Sequence, residues 1–406
     1  MSAKVLVLNC GSSSIKYQLF EMPSAEVLAR GLIERIGEQL GSYKHKDAAG
    51  ERSEKIKIPD HHAGLEILVK CLRNGAVSDL SEIAAVGHRV VHGGEAFTGS
   101  VFVTPEVEKT IQDCADLAPL HNPPNLVGIR AAKKAFPDAP QVACFDTAFH
   151  TTLPPVAYMY ALPHELYEKY RIRRYGFHGT SHRYVARRAA EMLGKHKYAV
   201  NVITCHLGNG CSMAAVAAGK SVDTSMGLTP LEGLVMGTRS GDIDPAIIFY
   251  LAEKPEFKNL AAINGTLNKK SGLLGVSGTS NDMRTLEQAA LSGDKRAALA
   301  REIFAYRIRK YIGAYAAVLP KLDAIVFTGG IGENDPDARA QSIAGLSANF
   351  GIAIDPAKNA KAIRGVEADI ATADSRAHVM VIPTNEEKAI AADTYQLAVE
   401  KCEAAK

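Results

Sequence analysis

Two stretches of the chain follow one plan, Leu8-Asn9-Cys10-Gly11-Ser12-Ser13-Ser14 and Cys205-His206-Leu207-Gly208-Asn209-Gly210-Cys211, and they lie about half a chain apart. Each leaves an apolar strand, turns through small residues and enters a second apolar stretch. Such turns let backbone N–H groups and hydroxyls converge on an anion, although each turn alone also fits an ordinary β-hairpin. The repeat favours a duplicated fold with one copy per domain, whereas two similar strand–turn units also arise by chance in α/β proteins.

The remaining pattern alternates strands and helices. Short apolar runs followed by polar or Gly-rich turns predict buried strands at Val5–Leu8, Val142–Phe145, Val202–Cys205 and Ala324–Phe327. Apolar residues at spacings of three and four predict one face of a helix at Phe304, Ile308, Tyr311, Tyr315 and Val318. The fold class is therefore α/β.

The length of 406 residues exceeds what one hydrophobic core usually organises, so two domains are the simplest expectation. The paired prolines in Thr151-Thr152-Leu153-Pro154-Pro155 place the boundary there, giving domains at 1–150 and 151–385. Thr384 and Glu387 fit a capping box for a final helix. That helix, at 386–406, is expected to return to the first domain.

The composition restricts the class of partner. Apolar residues make up 47 %, and 47 Lys and Arg nearly balance 44 Asp and Glu, which gives no general footprint for nucleic acid or an anionic membrane. No stretch approaches the roughly 20 apolar residues of a membrane span, and the amino terminus lacks a secretory pattern. The seven cysteines are scattered without Cys-x-x-Cys spacing, as reduced core thiols would be. We expect a cytoplasmic enzyme.

Several motifs of the kind that carry chemistry do not identify a function when each is considered alone. Asn9 to Lys16 lacks the Walker spacing, and Gly329-Gly330-Ile331-Gly332-Glu333-Asn334 lacks the Rossmann spacing, which weakens the case for hydride transfer. The His pairs in Gly87 to Gly94 and in Tyr175 to His182 lack the order of a zinc helix and suit an anion pocket better. Asp146 follows a buried strand and Arg239 is flanked by glycines, features that also occur in surface or packing residues.

Together, these motifs closely resemble the acetate kinase family. The resemblance covers essentially the whole chain in order, through Asn9 to Lys16, Gly87 to Gly94, Tyr175 to His182, His206 to Gly210, Thr238 to Gly241, and Pro383-Thr384-Asn385-Glu386-Glu387. It implies the superfamily of sugar kinases, heat-shock protein 70 and actin, with two similar domains of the actin-like ATPase (ribonuclease H-like) type flanking a nucleotide cleft. It also implies a homodimer joined mainly through the second domain.

The resemblance assigns roles motif by motif. It implies catalytic roles for Arg89, Asp146, His178 and Arg239, and a Mg²⁺ or Mn²⁺ site at Asn9 and Glu386. It implies a substrate pocket formed by Arg89, Val91, Leu120, His121, Phe177 and Pro230. It implies ATP or ADP contacts from Lys16, His206, Leu207, Gly208, Asn209, Gly210, Asp282, Met283, Arg284, Gly330, Ile331, Gly332, Glu333 and Asn334.

The expected reaction is reversible, Mg²⁺-dependent transfer of the ATP γ-phosphoryl group to acetate, giving acetyl phosphate and ADP. Both reactants are anions, so cations must offset their repulsion. Asp146 need not act as a base, since a carboxylate substrate has no proton to remove at neutral pH; it would orient the metal or hold an arginine. A phosphorylated carboxylate intermediate, a propionate or butyrate kinase, and an actin- or chaperone-like ATPase remain as alternatives.

Overall fold

The computed structural model describes residues 2–400, so residues 401–406 of the predicted final helix lie outside the described residues. Its strands are β1 (Ala3–Cys10), β2 (Ser14–Met22), β3 (Glu26–Glu34), β4 (Gly41–Asp47), β5 (Gly50–Ile56), β6 (Ile83–Val90), β7 (Val101–Phe102), β8 (Gln141–Phe145), β9 (Val202–Leu207), β10 (Cys211–Ala217), β11 (Lys220–Thr224), β12 (Ala324–Thr328), β13 (Ala368–Asp369) and β14 (His378–Val381). Its α-helices are α1 (His61–Arg73), α2 (Pro105–Asp113), α3 (Asn122–Ala135), α4 (Pro155–Tyr158), α5 (His164–Tyr170), α6 (Gly179–Met192), α7 (Ala246–Ala252), α8 (Leu260–Lys269), α9 (Gly272–Ser277), α10 (Met283–Leu291), α11 (Lys295–Val318), α12 (Gly329–Asn334), α13 (Pro336–Ile343), α14 (Leu346–Phe350), α15 (Pro356–Lys361) and α16 (Glu386–Tyr395).

The described chain divides into two units, one of residues 2–151 with 385–400 and one of residues 152–384. The first unit contains an eight-stranded sheet in the order β5-β4-β3-β2-β1-β6-β8-β7. The second contains a six-stranded sheet in the order β11-β10-β9-β12-β14-β13.

Strand β1 is apolar along its length, without alternation, because both of its faces are covered. Leu6 and Leu8 pack on one face of the sheet in a cluster that includes residues of α1 and α3. Val5 and Val7 pack on the other face with residues of α16. A strand that is covered on both faces reads as a continuous apolar run, as the sequence predicted.

Both units repeat one strand plan. In the first, β3, β2 and β1 are antiparallel neighbours, and β6 and β8 continue the sheet in parallel to β1. In the second, β11, β10 and β9 are antiparallel neighbours, and β12 and β14 continue in parallel to β9. The common order of strands confirms the duplicated α/β fold.

One local prediction was wrong. Asn385, and not Thr384, caps α16, because the Asn385 side chain accepts a hydrogen bond from the Lys388 N–H. The helix predicted from the spacing of Phe304 to Val318 is confirmed as α11, which buries Phe304, Ile308 and Tyr315 and leaves Val318, at its last position, 49 % exposed. Within residues 2–400, no helix combines the length and the apolar character that crossing a bilayer requires.

Candidate active site

Three predicted residues of the first unit lie at the ends of neighbouring strands. Strands β1, β6 and β8 run parallel, and the register pairs Leu8 with His88 and Val90 with Phe145. Asn9, Arg89 and Asp146 therefore come to the carboxyl edge of one sheet, where α/β proteins commonly bind ligands. The backbone N–H of Asp146 donates to the Val90 carbonyl at 2.9 Å, which fixes the start of the loop after β8.

Arg89 joins two carboxylates at this edge. Its Nη2 lies 3.1 Å from Asp146 Oδ2, and its Nε lies 3.3 Å from Glu386 Oε2, in the first turn of α16. Lys16 forms a second ion pair with Glu387. Counting these five groups, two cations face three carboxylates, so the cluster carries a formal charge of −1.

This arrangement of charges raises the pKa of both Arg89 and Glu386. Burial lowers the pKa of Arg89, but the Asp146 and Glu386 carboxylates outweigh it and raise the pKa above the ordinary value. Burial and the like charges of Asp146 and Glu387 raise the pKa of Glu386, against the lowering effect of Arg89. The site therefore holds more carboxylate than its own cations neutralise.

The substrate residues predicted in the first unit differ in exposure. Val91 is buried, whereas Leu120 is 73 % exposed and His121 lies exposed at the N-cap of α3. Strand β6 ends at Val90, so Val91 lies just beyond the strand, and the alternation of side chains along β6 does not fix which face Val91 occupies.

In the second unit, the His206 to Gly210 stretch forms the hairpin between β9 and β10. Leu207 pairs with Cys211, and the Gly208 N–H donates to the Gly210 carbonyl at 3.2 Å. The Asn209 carbonyl accepts from the Gly237 N–H at 2.9 Å, and its Oδ1 accepts from Asn281 Nδ2 at 2.9 Å. The hairpin is thus tied to the segments before Arg239 and before Asp282.

Arg239 is held by neutral acceptors. Its Nη1 donates to the Pro230 carbonyl at 3.1 Å and lies 3.7 Å from Met236 Sδ. No carboxylate within residues 2–400 forms an ion pair with it, and burial lowers its pKa below the ordinary value. A half-buried arginine without a counter-ion is a strong candidate for binding an anion.

Gly210 marks where Arg239 and His178 come together. A Cβ placed on Gly210 would lie 3.5 Å from Arg239 Nη1, 3.6 Å from His178 Cε1 and 3.8 Å from His178 Nε2. The two predicted catalytic side chains of this unit therefore border one small space beside the hairpin. Phe177, the neighbour of His178, is buried.

The Gly-rich turn after β12 forms α12. Gly329 has φ +76°, and a Cβ there would lie 2.8 Å from the Leu207 carbonyl oxygen, so glycine is required. A Cβ on Gly330 would meet nothing within 4 Å, which leaves open space above the backbone. Glu333 Oε1 accepts from the N–H groups of Gly329 at 2.8 Å and Thr384 at 3.1 Å.

The other predicted nucleotide residues have mixed roles. Asp282 caps α10 and pairs with the exposed Arg284 at 2.8 Å. Met283 is buried, and its carbonyl accepts from Arg301 at 3.0 Å. A nucleotide contact at Met283 would therefore involve its backbone.

Comparison with known proteins decides the family. The acetokinase family model matches residues 4–392. The chain is 55 % identical over 398 residues to the acetate kinase of Halothermothrix orenii, covering 97 % of this chain and 99 % of that protein. The chain belongs to the acetokinase family. The predicted resemblance is thereby confirmed.

Solved structures of this acetokinase family share the fold. The crystal structure of Porphyromonas gingivalis acetate kinase has a TM-score of 0.93 at 47 % identity, covering 97 % of this chain and 99 % of that chain. A propionate kinase from Francisella tularensis has a TM-score of 0.90 at 47 % identity, covering 97 % of this chain and 100 % of that chain. Both folds match this chain over nearly its whole length.

The sequence reading missed several residues that position this acetokinase site. Asn125 in α3 donates to the Cys10 carbonyl at 2.7 Å and accepts from the Val91 N–H at 3.0 Å, so it links two strand ends. Arg339 is fully buried and donates to the Gly332 carbonyl at 2.8 Å and to Asn359. The Asn-Pro-Pro-Asn pattern at 122–125 was the available signal for Asn125; Arg339 had none.

The side chains at the carboxyl edge of the first sheet are of the kind that bind Mg²⁺. Asn9, Asp146 and Glu386 offer the oxygen donors that Mg²⁺ prefers, and the cluster has the excess negative charge described above. Within residues 2–400, no group of three His, Cys, Asp or Glu side chains is close enough to hold a metal alone. Mg²⁺ commonly takes one or two carboxylates from a protein and completes its shell with substrate phosphate and water.

Proposed function

We propose that this enzyme transfers the γ-phosphoryl group reversibly between ATP and acetate, giving acetyl phosphate and ADP by direct in-line displacement. The observation that carries this proposal is the position of Arg239, a half-buried cation beside the His178 ring that forms no ion pair with any carboxylate in residues 2–400. The family match and the identity to acetate kinases support the same reaction. The test is formation of acetyl phosphate from ATP and acetate by the purified protein; absence of that product would refute the proposal.

Arg89 would hold the acetate carboxylate, and Arg239 with His178 would bind the equatorial oxygens of the transferring phosphoryl group. Two unit charges 4 Å apart interact by about 4 kcal/mol at an effective dielectric near 20, so each cation offsets a substantial part of the anion repulsion. Asp146 would hold Arg89 in position, since it already accepts from Arg89 Nη2. It would need no proton from the substrate.

Asn9 and Glu386 would hold the Mg²⁺ or Mn²⁺ ion, with Asp146 near its water ligands. When bound, the ion would neutralise phosphate charge in the nucleotide. Lys16 and the two glycine-rich turns of the second unit would contact ATP or ADP. Measuring activity of a Glu386→Gln variant as a function of Mg²⁺ concentration tests this role. We expect the variant to need more Mg²⁺ than the parent enzyme for half-maximal activity; an unchanged Mg²⁺ requirement would contradict the role.

The arginines give the sharpest kinetic test. We expect Arg89→Ala and Arg239→Ala each to lower turnover at least about a hundredfold, or about 2.7 kcal/mol, because each removes a charge aimed at the transition state. Lysine at either position should restore little, since it lacks the planar fork. Arg130→Ala, which removes an exposed arginine paired with Glu108, serves as the control. Near-normal turnover in a folded variant would remove that arginine from the mechanism.

A propionate or butyrate kinase is the second candidate. The specific observation in its favour is the likeness to a propionate kinase structure at a TM-score of 0.90. Each added methylene discriminates by only about 1–3 kcal/mol, so we expect propionate to be used more weakly and not refused. Specificity constants for acids of increasing chain length decide between them; a larger constant for propionate than for acetate favours the alternative.

We further propose a homodimer that is joined through the second unit. Helix α7 buries none of its residues, and Phe249 and Tyr250 are 72 % and 62 % exposed. Leu260 at the start of α8 is 70 % exposed. Contiguous exposed apolar side chains usually mark a protein interface. Sedimentation of the protein and of a Phe249→Asp, Tyr250→Asp double variant tests this; a monomeric parent protein would refute it.

We propose a cytoplasmic location. Cys10, Cys71, Cys114, Cys205 and Cys211 are free and buried, and burial raises the pKa of the Cys10 thiol to about 12. Such thiols are compatible with a reducing compartment. Fractionation of cells that produce the protein tests the location; recovery outside the cytoplasmic fraction would contradict it.

A further inference from the structure

A chain of buried polar groups lies behind His178. Nδ1 of His178 lies 2.9 Å from Ser212 Oγ, which lies 2.7 Å from His182 Nε2. Nδ1 of His182 in turn lies 2.7 Å from Thr204 Oγ1. Ser212, His182 and Thr204 are fully buried, so these groups satisfy one another in a dry environment.

Counting protons gives one self-consistent set of directions for these hydrogen bonds, in which His182 is neutral. In this set the Thr204 hydroxyl donates to the Ala214 carbonyl at 3.4 Å and accepts from His182 Nδ1–H. Nε2 of a neutral His182 then accepts the Ser212 proton. Ser212 has no second proton to give, so its oxygen accepts from His178 Nδ1–H. In this set of directions, Nδ1 of His178 carries a proton whether the ring is neutral or cationic.

The backbone of His178 supports a fixed ring. His178 adopts the left-handed conformation, φ 56° and ψ 25°, at the N-cap of α6, where its side chain makes no capping hydrogen bond. Such a conformation is uncommon outside glycine and is usually retained where the surroundings require it. The ring also stacks on His206, with centroids 4.2 Å apart and planes 27° apart. The ring of His206 is held separately, through its Nδ1, by Ser181 at 2.8 Å.

We propose that Ser212 and His182 are positioning residues for phosphoryl transfer. Ser212 accepts the Nδ1–H of His178, and His182 fixes the direction of that bond. Nε2 is then the nitrogen that His178 directs to the phosphoryl group, in agreement with its position near Gly210 and Arg239. It donates to a phosphoryl oxygen in the cationic ring, in which Nδ1 and Nε2 both carry protons. The inference rests on the proposed function, because it depends on the role of His178 in transfer.

The kinetic test compares Ser212→Ala with the parent enzyme. Removing the acceptor frees the ring to change tautomer or rotate, so we expect kcat to fall about ten- to hundredfold while KM for acetate and ATP changes little. Ser225→Ala is the matched control: Ser225 is equally buried, and its hydroxyl accepts from the Met213 N–H in the same unit. We expect that control to keep kcat within about twofold.

A double-mutant cycle separates positioning from a general structural effect. If Ser212 acts through His178, Ser212→Ala should lower kcat no further in a His178→Ala background. Equal losses in the two backgrounds would overturn the inference, as would an unchanged kcat in the folded single variant. If Ser212→Ala does not fold, Ser212→Cys removes the good acceptor at similar volume and is judged by the same criteria.

Nitrogen-15 NMR of the His178 ring provides a readout that needs no activity. We expect Nδ1 to be protonated in the parent enzyme and to lose this fixed preference in Ser212→Ala, but not in Ser225→Ala. A neutral His178 ring protonated only at Nε2 in the parent enzyme would overturn the inference. If the parent protein forms no acetyl phosphate, the proposed function fails, while the NMR result still judges the hydrogen-bond chain.

Discussion

Replacing Gly210 by alanine would test the space shared by Arg239 and His178. The new methyl would lie 3.5 Å from Arg239 Nη1 and 3.8 Å from His178 Nε2, which are ordinary van der Waals distances. Gly210 does not have a positive φ, so alanine fits the backbone. We expect the variant to fold, with a stability equal to the parent or greater by about 0.4–1 kcal/mol, because alanine restricts the unfolded chain.

Catalysis should respond differently. A phosphoryl oxygen bonded to both nitrogens needs to approach each to about 2.8 Å, whereas the methyl carbon prefers neighbours at about 3.5 Å or more. An oxygen on the Gly210 side would therefore be displaced by up to about 1 Å. A displacement of that size costs about a hundredfold in rate, equivalent to about 2.7 kcal/mol.

The assay is the initial rate of acetyl phosphate formation at saturating ATP and acetate, with thermal unfolding measured in parallel. Gly265→Ala is the control, because a Cβ there meets nothing within 4 Å and the residue lies in helix α8. We expect the control to retain full turnover. A Gly210→Ala enzyme with parent-like turnover would show that the phosphoryl group does not occupy this space, and would refute the reasoning.

Three other changes probe separate parts of the molecule. Gly330→Ala fills open space above the predicted nucleotide turn, so we expect KM for ATP to rise about threefold or more with little change in folding; an unchanged KM would place the nucleotide elsewhere. Val91→Ala should improve propionate relative to acetate about five- to thirtyfold in the ratio of specificity constants, whereas a core role leaves the ratio unchanged. Burial raises the pKa of Asp47, but hydrogen bonds from His45 and the Ala49 N–H and the charge of Arg52 outweigh it, and the net pKa is lowered. Its ionised form therefore stabilises the fold above the ordinary pKa of 3.8, and this contribution is lost as pH falls through the lower folded pKa. Asp47→Asn should cost about 3 kcal/mol in urea unfolding at pH 7, and the gap should narrow below about pH 4; a pH-independent gap would contradict this.

The sequence predicted those features that local pattern controls. The run Val5–Leu8 is apolar because both faces of β1 are covered, and this produces a pattern that is readable without the fold. Small residues at Gly11 and Gly208 predicted turns, and both turns are hairpins in the structure. Asp146 was placed after a buried strand, which is where it lies. Local pattern did not predict that Arg89 lies among carboxylates; only the family resemblance assigned these residues to one site.

Features made by distant contacts were not predictable from local pattern. The spacing of His178 and His182 predicted an anion pocket, but nothing in the sequence linked the two rings through Ser212. That link exists only because β10 packs near the start of α6. The error at the cap of α16 has a similar cause. Thr384 fits a capping box locally, but its hydroxyl bonds Ser181 at 2.7 Å, its N–H donates to Glu333, and Asn385 takes the cap. Tertiary partners thus replaced a local capping preference.

The two arginines that we propose as catalytic are held by different kinds of partner, which suits them to different roles. Arg89 is held by two carboxylates, so its geometry is fixed before any substrate binds. Arg239 is held by a carbonyl and a thioether, so its charge remains available, and burial lowers its pKa. A guanidinium whose position is fixed in this way suits orienting a small carboxylate for attack. An uncompensated guanidinium suits a phosphoryl group whose charge must be stabilised in transfer, because the interaction is strongest where no protein carboxylate competes for it.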